Sequence, residues 1–509
     1  MAVKLRKFLS QDYIIALFLF VVALAVRSIP EIKAGIWPIG YDTFNTYVAE
    51  LATYHGPLLN WLKTANLIYF IFLPGKLLGV DPSFLVKFFG PIFFGLLVVS
   101  FFYWTRQFLK FNQIKAFLAG LLIIFQLATL RLSWDLYRNE LGLIFLFLAL
   151  IYLVKLDKTK NLIIFTCLAV LVVLSHELAT VLLLLMMVIY GLSLIFQRKY
   201  RVAWRLAIPL ILTGSIFTLV LGSSGQALYD PHVIFTSESN YLVWRYFYQY
   251  QKDMSYQMLF VTISGLFWLC YGFLIGPALY GFWLLRKNLI LTVLTLWLLI
   301  GTFSSLIFAG TGIIVWERWL IILAFPLTVY AVEGIFKLGE ILAKPKKWGK
   351  RRKVLATTLA IIFWLGFIGL FLYRAVPFLT KSYQDARPPL ADDQLNEYFP
   401  RTMIHNSVGI WKIEDVLECI DWLNKNVPSD AAVIVDNRWR GLMLTHFDLD
   451  NRYIITNAWS EQWPRQTYEF AVLEGFKDVY LIWNTSKEIR YFDLVFSRGH
   501  IGIFKSKPL

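Results

Sequence analysis

Asp42 lies in a polar segment, residues 38–47, that directly follows the first long apolar run of the chain. Aromatic residues flank this carboxylate, among them Tyr41, and such rings can stack on a sugar or anchor the chain at a membrane interface. A charge at the edge of an apolar helix bundle is costly, and its retention usually has a functional reason. The alternative is structural, because Asp42 is also well placed as the N-cap of an amphipathic helix over residues 43–54.

A second group of charges occupies residues 131–140, which contain two acids, Asp135 and Glu140, and two arginines, one of them Arg138. These charges either neutralise each other as ion pairs or hold a metal ion together with the phosphate that it neutralises. The spacing of Asp135 and Glu140 places them on no common helical face and matches no metal-ligand motif. A divalent cation held by Asp42, Asp135 and Glu140 therefore has only weak support.

Two further charged pairs lie where apolar runs meet or begin. His176 and Glu177 form either a functional site or a hydrogen-bonded turn, and no second histidine follows at the spacing of the helical zinc motif. Arg318 opens another apolar run, and its guanidinium can donate two parallel hydrogen bonds to a phosphate. The structural alternative for Arg318 is an interfacial anchor that has Glu317 as its counter-ion.

The long segment 222–257 is rich in aromatic residues. A stripe of aromatic and basic residues recurs in it at helical spacing, and its members are Tyr241, Trp244, Arg245, Tyr248 and Lys252. Such a stripe is typical of a helix that lies on the lipid interface, and it could also cover a lipid-borne substrate. The sequence contains no P-loop, dinucleotide fingerprint, nucleophile elbow or zinc ribbon.

The composition shows what kind of protein must position these residues. Of the 509 residues, 58% are hydrophobic and 16% are charged, whereas soluble globular proteins have about 25% charged residues. So many apolar side chains cannot be hidden in one soluble core, which excludes a soluble enzyme, a disordered chain and a disulfide scaffold. The net charge of +16 does not indicate a nucleic-acid partner, because most lysines and arginines lie in short segments between apolar runs.

Eleven apolar runs approach the roughly 20 residues that a membrane span needs. They are residues 13–29, 84–103, 116–130, 141–154, 162–174, 178–196, 204–221, 258–285, 289–308, 319–336 and 354–373. If the interrupted run 58–78 does not span, one side of the membrane receives 23 lysines and arginines and the other 9, which places the basic side in the cytoplasm. We therefore predict a multi-pass cell-membrane protein with an uncleaved first span, a cytoplasmic N-terminus and an extracytoplasmic C-terminus.

The composition changes near residue 380, and the remaining chain is typical of a soluble domain. Helical patterns over residues 411–426 and 463–476 alternate with four short runs that are typical of strands. These runs are residues 431–435, 453–456, 479–483 and 494–496. We therefore predict a polytopic α-helical membrane domain, residues 1–379, with outer juxtamembrane helices in residues 27–83, followed by an extracytoplasmic α/β domain, residues 380–509.

The order of these features resembles the GT-C superfamily of polyprenyl-phosphate-dependent membrane glycosyltransferases. This superfamily includes protein O-mannosyltransferases, lipid A aminoarabinose transferases and oligosaccharyltransferase catalytic subunits. Residues 40–44 look like its first acidic motif, Asp135 or Glu140 falls where its second lies, and residues 317–320 with 325–327 are similar to its Arg-aromatic-Leu and Pro-Leu segment. The chain has no Trp-Trp-Asp-Tyr-Gly segment, which argues against an oligosaccharyltransferase. It also lacks the Asp-Glu pair of the O-mannosyltransferases, which leaves the subfamily open.

The resemblance implies an inverting enzyme that moves a hexosyl or pentosyl group from a polyprenyl-phosphate-linked donor to a protein, lipid or glycan acceptor. Asp42 would be the general base for the acceptor hydroxyl. Arg318, with Arg138 or His176 as lesser candidates, would bind the donor phosphate and stabilise it as the leaving group. The resemblance implies two further sets of site residues. One set would orient the acceptor or hold a divalent cation such as Mg²⁺ or Mn²⁺, and it consists of Asp135, Glu140, His176 and Glu177. Donor contacts would come from Tyr41, Trp244 and Arg245.

Other functions are compatible with many spans and outer charges. A secondary transporter of a lipid-linked or small polar substrate usually shows an internal repeat and ionisable groups near the bilayer midplane. A non-catalytic membrane scaffold would use the outer domain as a binding module. A lipid-polymer ligase or polymerase would share the donor chemistry and differ mainly in the acceptor.

Overall fold

A computed structural model gives the fold of the chain. It describes residues 2–40, 42–54, 56–223, 233–235, 256–307, 316–343, 350–381, 413–436, 439–449, 452–457, 463–485, 489 and 491–507. The predicted donor contacts Tyr41, Trp244 and Arg245 lie outside these ranges, together with the whole aromatic stripe of the segment 222–257.

Helices make up most of the described chain, and six strands form one sheet. In chain order the helices are α1 (Ala2–Lys33), a π-helix (Thr43–Val48), α2 (Ala49–Thr53), α3 (Leu59–Lys63), α4 (Ile68–Leu77), α5 (Pro82–Gln107), α6 (Gln113–Phe125), α7 (Leu127–Asp135), α8 (Tyr137–Leu153), α9 (Thr159–Ser175), α10 (Glu177–Phe196), α11 (Tyr200–Ser223), α12 (Tyr256–Tyr271), α13 (Ile275–Leu285), α14 (Leu289–Ile307), α15 (Trp316–Ile322), α16 (Ala324–Ala343), α17 (Lys350–Lys381), α18 (Ile413–Asn426), α19 (Arg440–His446) and α20 (Trp463–Leu473). The strands are β1 (Val233–Phe235), β2 (Ala432–Asp436), β3 (Tyr453–Asn457), β4 (Val479–Asn484), β5 (Phe492–Arg498) and β6 (Ile501–Ser506).

Each of the eleven predicted apolar runs is helical where the structure describes it, but among the described residues not every run is a full-length span. Within the described residues, six helical segments are long and apolar enough to cross a membrane, or eight if each of two bent pairs counts as one span. The other three runs correspond to α8 and α9, which have 17 residues each, and to α17, in which Trp364–Val376 is a shorter apolar helix. Within the described residues, length and composition thus support up to eight of the eleven predicted spans.

A buried glutamine breaks one predicted span into the bent pair α6 and α7. Gln126 adopts an extended backbone conformation, and the two helix axes differ by 63°. The Gln126 side chain accepts a hydrogen bond from the Ala128 amide and donates one, of 3.0 Å, to the Cys270 carbonyl. These bonds satisfy polar groups that the break exposes inside an apolar bundle, where an unpaired group would be costly.

A second break lies within residues 131–140. Two acids and two arginines between apolar runs are typical of a short outer loop, but this segment contains the end of α7 and the beginning of α8, which meet at Leu136. Arg131 and Asp135 are four residues apart in α7 and form an ion pair, so a charge-rich segment can remain helical and buried. Charge density alone therefore gave the wrong secondary structure.

The segment 58–78 does not form one spanning helix, which confirms that part of the prediction. It contains α3 and α4, and α4 has only ten residues, about 15 Å of helix. The predicted amphipathic helix over residues 43–54 is also divided, into the π-helix and α2. These short helices belong to residues 34–81, between α1 and α5, which we call the outer segment after its predicted position.

The C-terminal sheet confirms the predicted small α/β domain. Its strand order is β1-β3-β2-β4-β6-β5, in which the first four strands are parallel and the last two are antiparallel to their neighbours. All four predicted strands are present. Sequence analysis missed α19 and β6, and it missed β1, which comes from the segment 222–257 and pairs in parallel with β3.

Alternate residues of the central strands face two different apolar layers, as the period of a strand requires. Val433 and Val435 of β2 pack with α18 and α19, whereas Ala432 and Ile434 pack with α20. The first of these layers continues without interruption into the outer segment, where it includes Phe44. The sheet domain therefore sits directly on the outer segment that contains Asp42.

Candidate active site

Gly40 brings the first acidic segment against the second. Its φ of +104° lies in a region that favours glycine. A Cβ atom at this position would lie 2.4 Å from the Cβ atom of Asp135 and 3.0 Å from the Trp134 carbonyl oxygen. The Asp42 amide, two residues further on, donates a hydrogen bond of 3.4 Å to Oδ2 of Asp135. Two aspartates that are 93 residues apart in the sequence are thus held next to each other.

Asp42 precedes the π-helix, but it does not act as the predicted N-cap. Its backbone is helical (φ −69°, ψ −20°), and its carboxylate makes no capping hydrogen bond in the described part of the chain. The capping interpretation is therefore wrong. π-Helices are rare and occur frequently at functional sites, and here the π-helix leaves the Asp42 side chain 27% exposed.

The surroundings of Asp42 raise its pKa to about 6, well above the usual value of an aspartate. Burial is the largest cause, because it disfavours the charged form, and the negative charge of Asp135 adds to it. The positive charges of Arg318, Arg131 and Arg138 act in the opposite direction. A carboxylate with this pKa is mostly ionised at neutral pH and still basic enough to accept a proton.

Arg318 faces Asp42 although 276 residues separate them in the sequence. Nη2 of Arg318, in the first turn of α15, lies 4.0 Å from Oδ2 of Asp42, and the Arg318 side chain is 25% exposed. This distance is too long for a direct hydrogen bond, so the two charged groups attract each other without closing on each other. Both remain partly accessible to a substrate.

Asp135 holds the backbone of Asp42 and is itself held in place. Its Oδ1 accepts a hydrogen bond from Arg131, its Oδ2 accepts one from the Asp42 amide, and its side chain is almost fully buried. This arrangement suits a residue that positions Asp42 better than one that contacts a substrate.

A second group of charged residues joins α8, α10 and the outer segment. It consists of Arg138, His176 and Glu177. Arg138 donates to Oε1 of Glu177 at 2.7 Å and to the Ala65 carbonyl at 3.2 Å. Nδ1 of His176 accepts a hydrogen bond of 3.2 Å from the Leu178 amide and so caps α10. These bonds tie the outer segment to α8 and α10, as the hydrogen-bonded turn interpretation expects.

Glu140 does not join the two aspartates in a metal site. It lies on α8, is completely buried, and neither carboxylate oxygen has a hydrogen-bond partner among the described residues. Asp135 meanwhile is paired with Arg131. Across the described ranges, no three His, Cys, Asp or Glu side chains cluster in a way that could hold a metal ion. The three predicted ligands therefore do not fit a divalent cation in this arrangement of the described residues.

A buried ionic network beneath the site was missed by sequence analysis. Arg27, inside the first apolar run, donates to the Ser133 carbonyl at 2.9 Å, to the Trp134 carbonyl at 3.1 Å and to Glu31 at 2.8 Å. Lys87 donates to the Trp37 carbonyl at 2.9 Å. The network joins α1 and α5 to the end of α7. The one signal in the sequence was the Arg27–Glu31 spacing of four residues.

The sheet domain also contacts the π-helix directly, through residues that sequence analysis did not single out. Arg440 donates to the Asn45 carbonyl at 2.7 Å, and the Gly441 amide donates to Oδ1 of Asn45 at 2.7 Å. A Cβ atom on Gly441 would lie 2.3 Å from the Phe44 carbonyl oxygen. Asn45 is one turn from Asp42, so α19 braces the helix that carries the carboxylate.

Gly441→Ala should weaken this contact. The added methyl group would meet backbone atoms of Phe44, which cannot move without displacing the π-helix, and overpacking of this kind costs about 1–3 kcal/mol. We expect a lower unfolding temperature for the purified protein in detergent. The matched control is Gly214→Ala, whose methyl group would meet no atom within 4 Å. Equal unfolding temperatures for the two variants would contradict the proposed close contact.

The chain has a GT-C-like fold, as its resemblance to that superfamily predicted. The apo crystal structure of the Archaeoglobus fulgidus oligosaccharyltransferase matches it with a TM-score of 0.51 and 11% identity, over 92% of this chain and 69% of that chain. The complex of that enzyme with Zn and sulfate matches with a TM-score of 0.50 and 11% identity, over 91% and 67%. The crystal structure of ArnT from Cupriavidus metallidurans in the apo state has a TM-score of 0.45 and 11% identity, over 99% of this chain and 100% of that chain.

The sequence itself matches no protein-family model and no curated protein. At 11% identity the structural likeness establishes the fold of this chain and leaves its substrates to be argued from its own residues.

Proposed function

We propose that the chain is an integral membrane glycosyltransferase that transfers a sugar, with inversion, from a polyprenyl-phosphate-linked donor to an acceptor hydroxyl. One observation carries the proposal: a carboxylate of raised pKa, Asp42, and a guanidinium, Arg318, face each other at 4.0 Å and are both partly exposed. The GT-C-like fold supports the same reaction class.

In the proposed reaction, Asp42 accepts the proton of the acceptor group while the acceptor atom attacks the anomeric carbon of the donor. The bond between that carbon and the phosphate oxygen breaks, and its electron pair stays on the phosphate. Arg318 stabilises the negative charge that builds up there by donating hydrogen bonds from its planar fork. Attack opposite to the leaving group inverts the anomeric configuration.

Several features support a donor that is carried by a lipid. Asp42 and Arg318 lie at one end of a bundle of apolar helices, where a phosphate would be at the membrane surface while an apolar tail stays in the bilayer. A lipid-linked donor also needs no nucleotide pocket, and the sequence contains no nucleotide-binding motif.

We propose that this site is extracytoplasmic. Helix α8 begins beside Asp135 and ends just before the basic segment 155–160, and α10 begins at Glu177 and ends just before the basic segment 197–205. The site is therefore at the opposite end of these helices from the two segments, which we call the basic end. Basic segments favour the cytoplasmic side.

The test is a transfer assay with the purified chain in liposomes. Polyprenyl monophosphate and diphosphate donors that carry a radiolabelled sugar are supplied with a mixture of peptide, lipid and glycan acceptors. We expect labelled product, of inverted configuration, from one of these donors. If the sugar stays on every donor while the protein is folded, the chain is not this kind of transferase. If intact donor moves across the bilayer instead, it is a transporter.

A further inference from the structure

A cavity of about 550 Å³ lies at the basic end of the bundle. It opens between the end of α8, the end of α10 and the beginning of α11. Helix α8 has 17 residues, which corresponds to about 25 Å. The cavity is therefore separated from Asp42 by nearly the thickness of a bilayer core, and it is no part of the candidate active site.

Three cationic side chains line this cavity, namely Arg198, Lys199 and Arg201, against one carboxylate, Asp157. All three cations are exposed. In the part of the chain that the structure describes, none of them has a side-chain hydrogen bond or an ion pair. Unpaired guanidinium and ammonium groups on one concave wall favour an anion, and arginine forks match the oxygens of a phosphate.

The backbone presents one of these cations at an unusual position. The Arg198 amide donates to the Ile195 carbonyl, and the Lys199 amide donates to the Leu194 carbonyl at 2.8 Å, so α10 ends in a Schellman motif. Arg198 has a φ of +59° at the position that glycine usually takes. The backbone of this turn would be less strained with glycine, yet the position carries an arginine whose side chain lines the cavity.

The surface beside the cavity is apolar and open. Phe196 at the end of α10 is 85% exposed, and Trp204 in the first turns of α11 is 76% exposed. Tyr190 and Tyr200 line the cavity at the same level, where aromatic residues commonly lie in membrane proteins. An occupant with a phosphate and attached apolar chains could use both surfaces, whereas free phosphate would use only the cations.

We propose that this cavity binds the phosphate headgroup of an anionic membrane phospholipid, whose acyl chains lie along α10 and α11. Arg198 and Arg201 contact the phosphate oxygens, and Lys199 supplies a further positive charge. The exposed rings of Phe196 and Trp204 contact the acyl chains. Basic pockets between membrane helices at a cytoplasmic surface bind anionic headgroups in this way. The site is independent of the proposed sugar transfer.

The test compares two charge-matched variants of the full-length chain in detergent. Arg198→Gln/Arg201→Gln removes two cavity cations, and the control Lys158→Gln/Lys160→Gln removes two exposed cations of the neighbouring basic segment that do not line the cavity. Phosphatidylglycerol and phosphatidylcholine are titrated, and bound lipid is counted by native mass spectrometry. We expect the wild type to prefer phosphatidylglycerol, the cavity variant to bind it about tenfold more weakly or worse, and the control to resemble the wild type.

Three results would overturn the proposal. The first is no preference of the wild type for phosphatidylglycerol, and the second is an equal loss in both double variants. The third is binding of inorganic phosphate, lost in the cavity variant, without any lipid preference, which would make free phosphate the ligand.

A further variant, Arg198→Gly, separates binding from folding. Glycine suits the positive φ of this position, so the unfolding temperature should stay the same or rise. Phosphatidylglycerol binding should nevertheless fall. Unchanged binding in this folded variant would count against a role for the Arg198 side chain and against the proposal.

Discussion

Replacing Asp42 with asparagine is expected to lower the turnover of sugar transfer about 100-fold or more, because the amide cannot accept the acceptor proton. The substitution preserves the shape of the side chain, and the backbone N–H of residue 42 keeps its hydrogen bond to the Asp135 carboxylate. Because burial raises the pKa of this carboxyl group, the folded state does not gain stability from its ionisation. The variant should therefore insert and fold normally. Single-turnover transfer in liposomes measures the effect.

The wild-type pH profile provides an independent reading of the same residue. The pKa of Asp42 is about 6, so the carboxylate is protonated, and unable to act as a base, below that pH. Transfer should rise as the pH increases through about 6 and then level off. The residual activity of Asp42→Asn should lack this step.

A matched variant keeps the prediction for Asp42 specific. Asp493 lies on β5 with an exposed side chain, and Asp493→Asn should transfer sugar at the wild-type rate. If purified Asp42→Asn kept near-native turnover, the assignment of the base would be wrong.

Arg318→Gln is the second large effect that we expect, a loss of about 100-fold to 1,000-fold in turnover, the size that removal of one transition-state donor produces. Glutamine removes both the charge and the planar fork that would contact the leaving phosphate. Arg318→Lys keeps the charge without the fork, so its loss should be smaller. Turnover at saturating donor distinguishes a loss of leaving-group stabilisation from weaker donor binding.

The pH profile of these arginine variants tests whether Arg318 and Asp42 are electrostatically linked. The positive charge of Arg318 lowers the pKa of Asp42, so removing it should move the acid limb of the profile to higher pH. The limb should stay in place in Arg318→Lys. Arg498, which pairs with Glu418 on the surface of the sheet domain, provides the control Arg498→Gln. An unshifted limb and full turnover in Arg318→Gln would show that Arg318 has no part in the reaction.

The site illustrates how far residue types and spacing can predict chemistry. Asp42 and Arg318 were both singled out because charged residues at the ends of apolar runs are costly in lipid, and the structure places them 4.0 Å apart. Their roles remain proposals. Asp135 was singled out as well, but its contact with Asp42 depends on Gly40 and on the break at Gln126. A single sequence does not show which two helices approach each other that closely.

Burial and the partners of a buried charge were what the sequence could not supply. Glu140 and Asp135 are two acids of one charged segment and both are buried, yet Asp135 accepts hydrogen bonds from Arg131 and from the Asp42 backbone, whereas neither oxygen of Glu140 has a hydrogen-bond partner among the described residues. The two acids lie on different helices, because α7 ends at Asp135 and α8 begins at Tyr137. The buried Arg27 network was missed for the same reason, because its partners come from three separate helices.

The sequence by itself determined the membrane character of the protein, the helical state of all eleven apolar runs and the α/β character of the C-terminal domain. These properties depend on composition and on periodicity over neighbouring residues, which a chain carries locally. The tertiary structure alone decided which runs are broken, that β1 joins the sheet domain, and that α19 braces the π-helix through Asn45. Such contacts join residues up to about 400 positions apart, and they depend on packing that no local pattern specifies.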